Sequence, residues 1–228
     1  MKKFTKMWAI AACALFAGTV EVNAEDYTWK FVTAGDATTY AIRSDGSLWS
    51  WGWNEKGQGG NGVSERTATP TLADGNRVWK KAVGGKAYGF FLAEDGSLWA
   101  AGTHESGVQG TNDGIDHKVL TRIGTDNDWA DMACSRFWGY SGFAIKTNGT
   151  LWAWGENSAG QLGIGNIQAQ TVPVQVGSDT DWKQVAAGCS SVLALKTDGS
   201  LWGWGFNMYS ELFGYEGKRK QLSPVRLG

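Results

Sequence analysis

The chain has 228 residues, long enough for one sizeable core or an array of small units. Its 21 Lys and Arg nearly balance its 22 Asp and Glu, and no long basic stripe breaks that balance, which argues against nucleic acid as a partner. No window carries sustained helical periodicity, so the expected class is all-β.

In chain order, "MKKFTK" is a basic region, Trp8 to Gly18 an apolar run, and "VNA" ending at Ala24 a small-residue cleavage site. Together they predict a secretory signal peptide over residues 1–24, hence an exported protein, periplasmic, secreted or at the cell surface. The apolar run is shorter than the roughly 18 residues of a membrane span, so none is expected. Lipidation at Cys13 is the weaker alternative, because "ALFAG" after it is no polar tether. Removing the leader takes away Lys2, Lys3, Lys6 and Glu21 and moves the formal net charge from −1 to −3. Cys134 and Cys189 remain; export permits a disulfide between them, and two buried thiols are the simpler expectation.

From residue 25 the chain reads as one repeat domain. Trp29, Trp79, Trp129 and Trp182 each open a unit, spaced 50, 50 and 53 residues apart, giving units of about 27–78, 79–128, 129–181 and 182–228. Each unit starts with a short alternating run ("WKFV", "WKKAV", "WADMA", "WKQVA"), followed by a small-residue loop and an apolar strand. An Asp-Gly or Asn-Gly hairpin turn comes next, then a strand of the type "LWxWG". A long Gly/Asn loop and a closing strand such as "PVQVG" complete the unit.

"LWAWGENSAGQLGIGN" from Leu151 and "VPVQVG" from Val172 carry the pattern most fully. "LWSWGWNEKGQGGNG" and "LWGWGFNMYSELFG" follow it, and the second unit drifts, with Ala101 for the second tryptophan and His104 for the asparagine. These residues resemble the regulator of chromosome condensation repeat family over essentially all of residues 27–228. The resemblance implies a β-propeller of four-stranded antiparallel blades, usually seven to a ring. With four units the alternatives are a closed small ring, an open arc, a truncated reading frame, or a ring completed by a second chain as a homodimer. Closure within the chain would pair Pro224–Leu227 with Trp29–Val32.

Several motifs have plainer explanations. "GQGGNG" at residues 57–62 matches a dinucleotide fingerprint, but no helix follows it and its aligned copy is repeat consensus. The pairs Asp126/Asp128 and Asp179/Asp181 lack the glycine and distal glutamate of a calcium loop, and turn-capping is the simpler role. His104 and His117 have no nucleophile placed beside them by motif, so no catalytic, metal or cofactor site is expected.

The chain meander puts the small-residue loops and the long loops on one rim and leaves tight turns on the other. Loops on a rigid frame are where binding residues concentrate. On that rim the third unit carries a three-residue insertion, "CSRFWGYSG", whose Arg136, Phe137, Trp138 and Tyr140 have the composition of an interface anchor. Tyr88 occupies the matching loop of the second unit, and Trp53, His104 and Tyr209 lie in long loops of the same rim. The expected function is binding of a protein partner through this rim. The alternative is a lectin, with Trp53, Trp138 and Tyr140 stacking on sugars and Asn157 or Asp36 holding hydroxyls.

Overall fold

The computed structural model describes residues 28–137, 139–207, 212 and 219–228. Four antiparallel sheets follow one another, each built from four consecutive strands. The first blade holds β1 (Trp29–Ala34), β2 (Thr38–Arg43), β3 (Leu48–Gly52) and β4 (Thr67–Asp74). The second holds β5 (Trp79–Gly84), β6 (Tyr88–Ala93), β7 (Leu98–Gly102) and β8 (His117–Arg122). The third runs β9 (Trp129–Cys134), β10 (Ser141–Lys146), β11 (Leu151–Gly155) and β12 (Gln170–Gln175). The fourth is β13 (Trp182–Ala187), β14 (Ser191–Lys196), β15 (Leu201–Phe206) and β16 (Lys220–Leu227).

The repeated "DGSLW" is a hydrogen-bond relay. Asp45 Oδ1 accepts from the Ser47 N–H at 2.9 Å and its hydroxyl at 2.6 Å, and the Ser47 hydroxyl oxygen accepts from Trp49 Nε1 at 2.8 Å. The same relay recurs at Asp95–Ser97–Trp99, Asn148–Thr150–Trp152 and Asp198–Ser200–Trp202. The glycine between acid and hydroxyl sits at positive φ, +86° at Gly46, as the hairpin turn demands.

Neighbouring blades share cores. Tyr40, Ile42 and Leu48 pack on Trp79, Ala82 and Phe91. Phe90, Leu92 and Leu98 pack on Trp129, Met132 and Trp154, and Phe143, Ile145 and Leu151 on Trp182, Val185 and Trp204. The second indole of "LWxWG" stitches the third and fourth units to the one before: Trp154 and Trp204 donate Nε1–H to Val108 O and Gln161 O, both at 2.8 Å. Ala101 has no such donor. The Tyr40 hydroxyl supplies it from the other side, donating to the equivalent carbonyl of Gln58 at 3.0 Å.

The strand exchange that closure within the chain would require is absent among the described residues. β16 pairs with β15 and β1 with β2, because each unit completes its own four strands and leaves no place for a shared one. Three shared cores for four blades make an open arc among the described residues. The inner strands β1, β5, β9 and β13 line one channel of about 190 Å³.

The turn rim is richer than tight turns alone. It also carries the connectors between blades and a layer of cations on indoles. Lys146 Nζ lies 4.9 and 5.0 Å from the ring centroids of Trp129 and Trp152, and bonds Asp126 at 2.6 Å and Asp128 at 3.1 Å. Lys196 repeats this with Trp182, Trp202, Asp179 and Asp181. The spaced aspartates therefore neutralise a lysine held on aromatic faces. Cys134 is buried, but Cys189 is exposed, and both thiols are free. Among the described residues no helix is long and apolar enough to cross a membrane.

Candidate functional site

The small-residue loops meet around the channel mouth. Asp36 N–H donates to Gly85 O at 3.3 Å, linking the first and second. The Tyr88 hydroxyl reaches into the third, sharing its one hydrogen between Ser135 O at 2.8 Å and Gly139 O at 2.9 Å. Arg136 N–H donates to Gly188 O of the fourth at 3.1 Å, and Phe137 N–H returns to Asp36 Oδ1 at 3.4 Å. The insertion in the third unit thus folds over the mouth and ties the first and fourth loops together.

Among its described residues, two side chains face solvent. Arg136 is exposed, and Phe137 is 63% exposed on a backbone at φ +55°. A non-glycine residue in that region costs energy that the surrounding bonds must hold. Tyr140 and Tyr88, expected among the contact residues, are instead buried, their rings 6.0 Å apart. Their bulk fills the space under the insertion, so they position it and do not present a surface. Burial, with the Glu105 carboxylate beside it, pushes the Tyr140 phenol up to about 12; burial also raises Tyr88 well above its ordinary value. Trp53 is half-buried, and Trp138 and Tyr209 lie outside the described residues.

The asparagine column closes the long loops. Asn157 is fully buried, accepts from Leu162 N–H at 2.9 Å and donates to Asn166 O and Gln168 O, which removes it from any role with sugar hydroxyls. Asn54 does the same work in the first unit. His104, in the same column, cannot. It is exposed and pairs through Nδ1 with Asp116 at 2.7 Å, which also bonds Lys56 at 3.2 Å. Burial alone would raise the Asp116 carboxyl, but the His104 backbone N–H and ring and the Lys56 ammonium outweigh it and hold it at about 2. His117 pairs with Asp113 at 2.9 Å. Beside them is a polar cavity of about 350 Å³ lined by His104, Gln109, Thr111, Asn112, Asp113 and Thr171. Composition alone does not signal this cavity, since its walls come from two units.

Among the described residues no group of three or more His, Cys, Asp or Glu is placed to hold a metal ion. Among the described residues of the rim, Phe137 presents an exposed ring and Arg136 an exposed guanidinium.

Models of the regulator of chromosome condensation (RCC1) repeat match residues 45–92 and 148–195, and a second such model residues 29–58. The ultraviolet-B receptor UVR8 of Arabidopsis thaliana is 30% identical over 163 residues, 70% of this chain and 37% of that protein. Protein RCC2 of Homo sapiens is 27% identical over 146 residues, 63% of this chain and 18% of that protein. Human WBSCR16 superposes with a TM-score of 0.76 at 21% identity, over 89% of this chain and 54% of that one. Yeast RCC1 (Prp20), solved bound to Kap60, gives 0.76 at 22%, over 90% and 50%. These two structures show the propeller fold alone, and the chain spans about half of each and less than half of the curated relatives. With its relays, its shared cores and these matches, the chain belongs to the regulator of chromosome condensation repeat family.

Proposed function

We propose that this chain is an exported interaction module that binds a protein partner through the loop-rich rim, centred on Arg136 and Phe137. One observation carries the reading: an exposed aromatic ring beside an exposed guanidinium, on a loop fastened to three of its neighbours. Buried aromatics and arginine dominate binding energy at protein interfaces, and a fixed loop loses little entropy when it docks. Similar propellers lend support: yeast RCC1 was crystallised with Kap60, and Prp20p of Saccharomyces cerevisiae has binding properties toward Gsp1p and histones. Export rests on the leader-like residues 1–24, and the net charge of −3 after their removal favours partners other than nucleic acid.

The test is quantitative recovery of bound proteins from the surroundings of the source cell, comparing wild type with an Arg136→Glu/Phe137→Ala double variant. Retention of one or more defined proteins should fall at least about tenfold, the effect of losing one or two anchor residues. Undiminished recovery by the variant would count against the rim. The glycan alternative has one observation in its favour, the polar cavity beside His104. A glycan array that lights up with wild type and dims with Asn112→Ala would favour it instead.

A further inference from the structure

The two ends of the arc are the two halves of an interface that the chain already forms three times. We propose that a second copy of this chain supplies the missing contact, so that two four-bladed arcs close head to tail into one eight-bladed ring.

The repeat columns identify both halves. Tyr40, Phe90 and Phe143 face the following blade and are fully buried; Leu193, their equivalent in the fourth blade, is 38% exposed. Trp79, Trp129 and Trp182 face the preceding blade and are at most 4% exposed, whereas Trp29 is 48% exposed. Val32, equivalent to the buried Ala82, Met132 and Val185, is 66% exposed. One end therefore offers the leading face of a blade, the other the trailing face, and nothing among the described residues joins them.

The backbone shows the same open junction. At each internal junction the opening tryptophan donates its N–H to the hairpin glycine of the blade before: Trp79 to Gly46 at 2.9 Å, Trp129 to Gly96 at 3.2 Å, Trp182 to Gly149 at 3.1 Å. A Cβ on those glycines would meet Val78, Asn127 O or Thr180 O within 2.7 Å. On Gly199, the fourth of the set, it would meet nothing within 4 Å. A copy docked as the internal blades are docked brings its Trp29 to Gly199.

An interface of unlike faces either closes or runs on as a filament, and two copies close it by a twofold axis. Eight blades lie within the usual range of about four to eight for propellers. The loop-rich rim stays open in such a ring, so this inference and the proposed binding role stand or fall separately.

The test is sedimentation equilibrium and light scattering of the full-length chain, freed of its leader where cleavage occurs, with Val32→Glu and Leu193→Glu made separately. Both sites are exposed in the single chain, so each variant folds, which circular dichroism and thermal melting check. Wild type should have twice the mass of one chain. Each variant alone should dissociate at least about tenfold more readily, since each buries an unpaired carboxylate at both junctions of its ring. A 1:1 mixture should recover dimer through one undamaged junction. Wild type that stays monomeric at all concentrations overturns the proposal. So does a dimer that neither or only one variant weakens, because a head-to-tail junction needs both faces.

Discussion

The Tyr88 hydroxyl, fully buried, shares its one hydrogen between the carbonyl oxygens of Gly139, 2.9 Å away in the neighbouring blade, and Ser135, 2.8 Å away. One phenol thereby fixes both ends of the insertion that carries Arg136 and Phe137. Tyr88→Phe keeps the ring and leaves two buried carbonyls without that donor. The expected cost is about 1–3 kcal/mol in urea unfolding. Hydrogen exchange should quicken at Arg136 and Gly139 before it does in the strands.

Acid should loosen the second unit's long loop through Asp116. Its carboxyl is held at about 2, below its ordinary 3.8, so its contribution to stability is complete above about pH 4 and fades as pH falls through about 2. The stability difference between wild type and Asp116→Asn should therefore be level from pH 7 to pH 5 and shrink between pH 4 and pH 2. Urea melts across that range read it directly.

Glycines of one repeat column should tolerate alanine unequally. At Gly149 the new Cβ would meet Thr180 O, a backbone atom, whereas at Gly199 there is open space; both lie at positive φ. Gly199→Ala should cost about 1–2 kcal/mol, from the left-handed conformation alone. Gly149→Ala should cost about 2 kcal/mol more, from overpacking between blades. Melts at low protein concentration separate the two.

Lys146 should matter more than a surface lysine. It lies between two indoles and two carboxylates with its side chain 11% exposed, while Lys30 meets Glu94 at 3.4 Å with both partners about half exposed. Lys146→Ala is expected to destabilise by about 1–3 kcal/mol, since it strips a cation from indole faces and from its acids. Lys30→Ala should change little, within about 0.5 kcal/mol.

The fold was legible because the repeat spells its own contacts. "DGSLW" encodes a turn, a hydroxyl relay and an indole, and three copies with the variant "NGTLW", 50 to 53 residues apart, leave little room for anything but four like sheets. What could not be read was how the units meet. Ala101 looks like decay until Tyr40 is seen donating to the carbonyl that an indole would otherwise take. Lys146 and its two aspartates are 18 to 20 residues apart, and only the hairpin brings them together. At the site, composition picked out the insertion but not its orientation. Tyr88 and Tyr140 carry the same aromatic signature as Phe137, and only packing separates the two that support the loop from the one that faces out. The chain ends were hard to read for a related reason: closure would have paired Pro224–Leu227 with the first strand, yet β15 already pairs with Val225, Arg226 and Leu227.

If the loop-rich rim is the working face, its position can be mapped without knowing the partner. A photo-crosslinking residue placed at Phe137 would be compared with one at Thr147, which is exposed on the turn rim of the same blade. The expected result is a discrete crosslinked species from position 137, competed away by unlabelled wild type, and none from position 147. Equal labelling from both positions, or labelling from 147 alone, would contradict a binding face built on the loops.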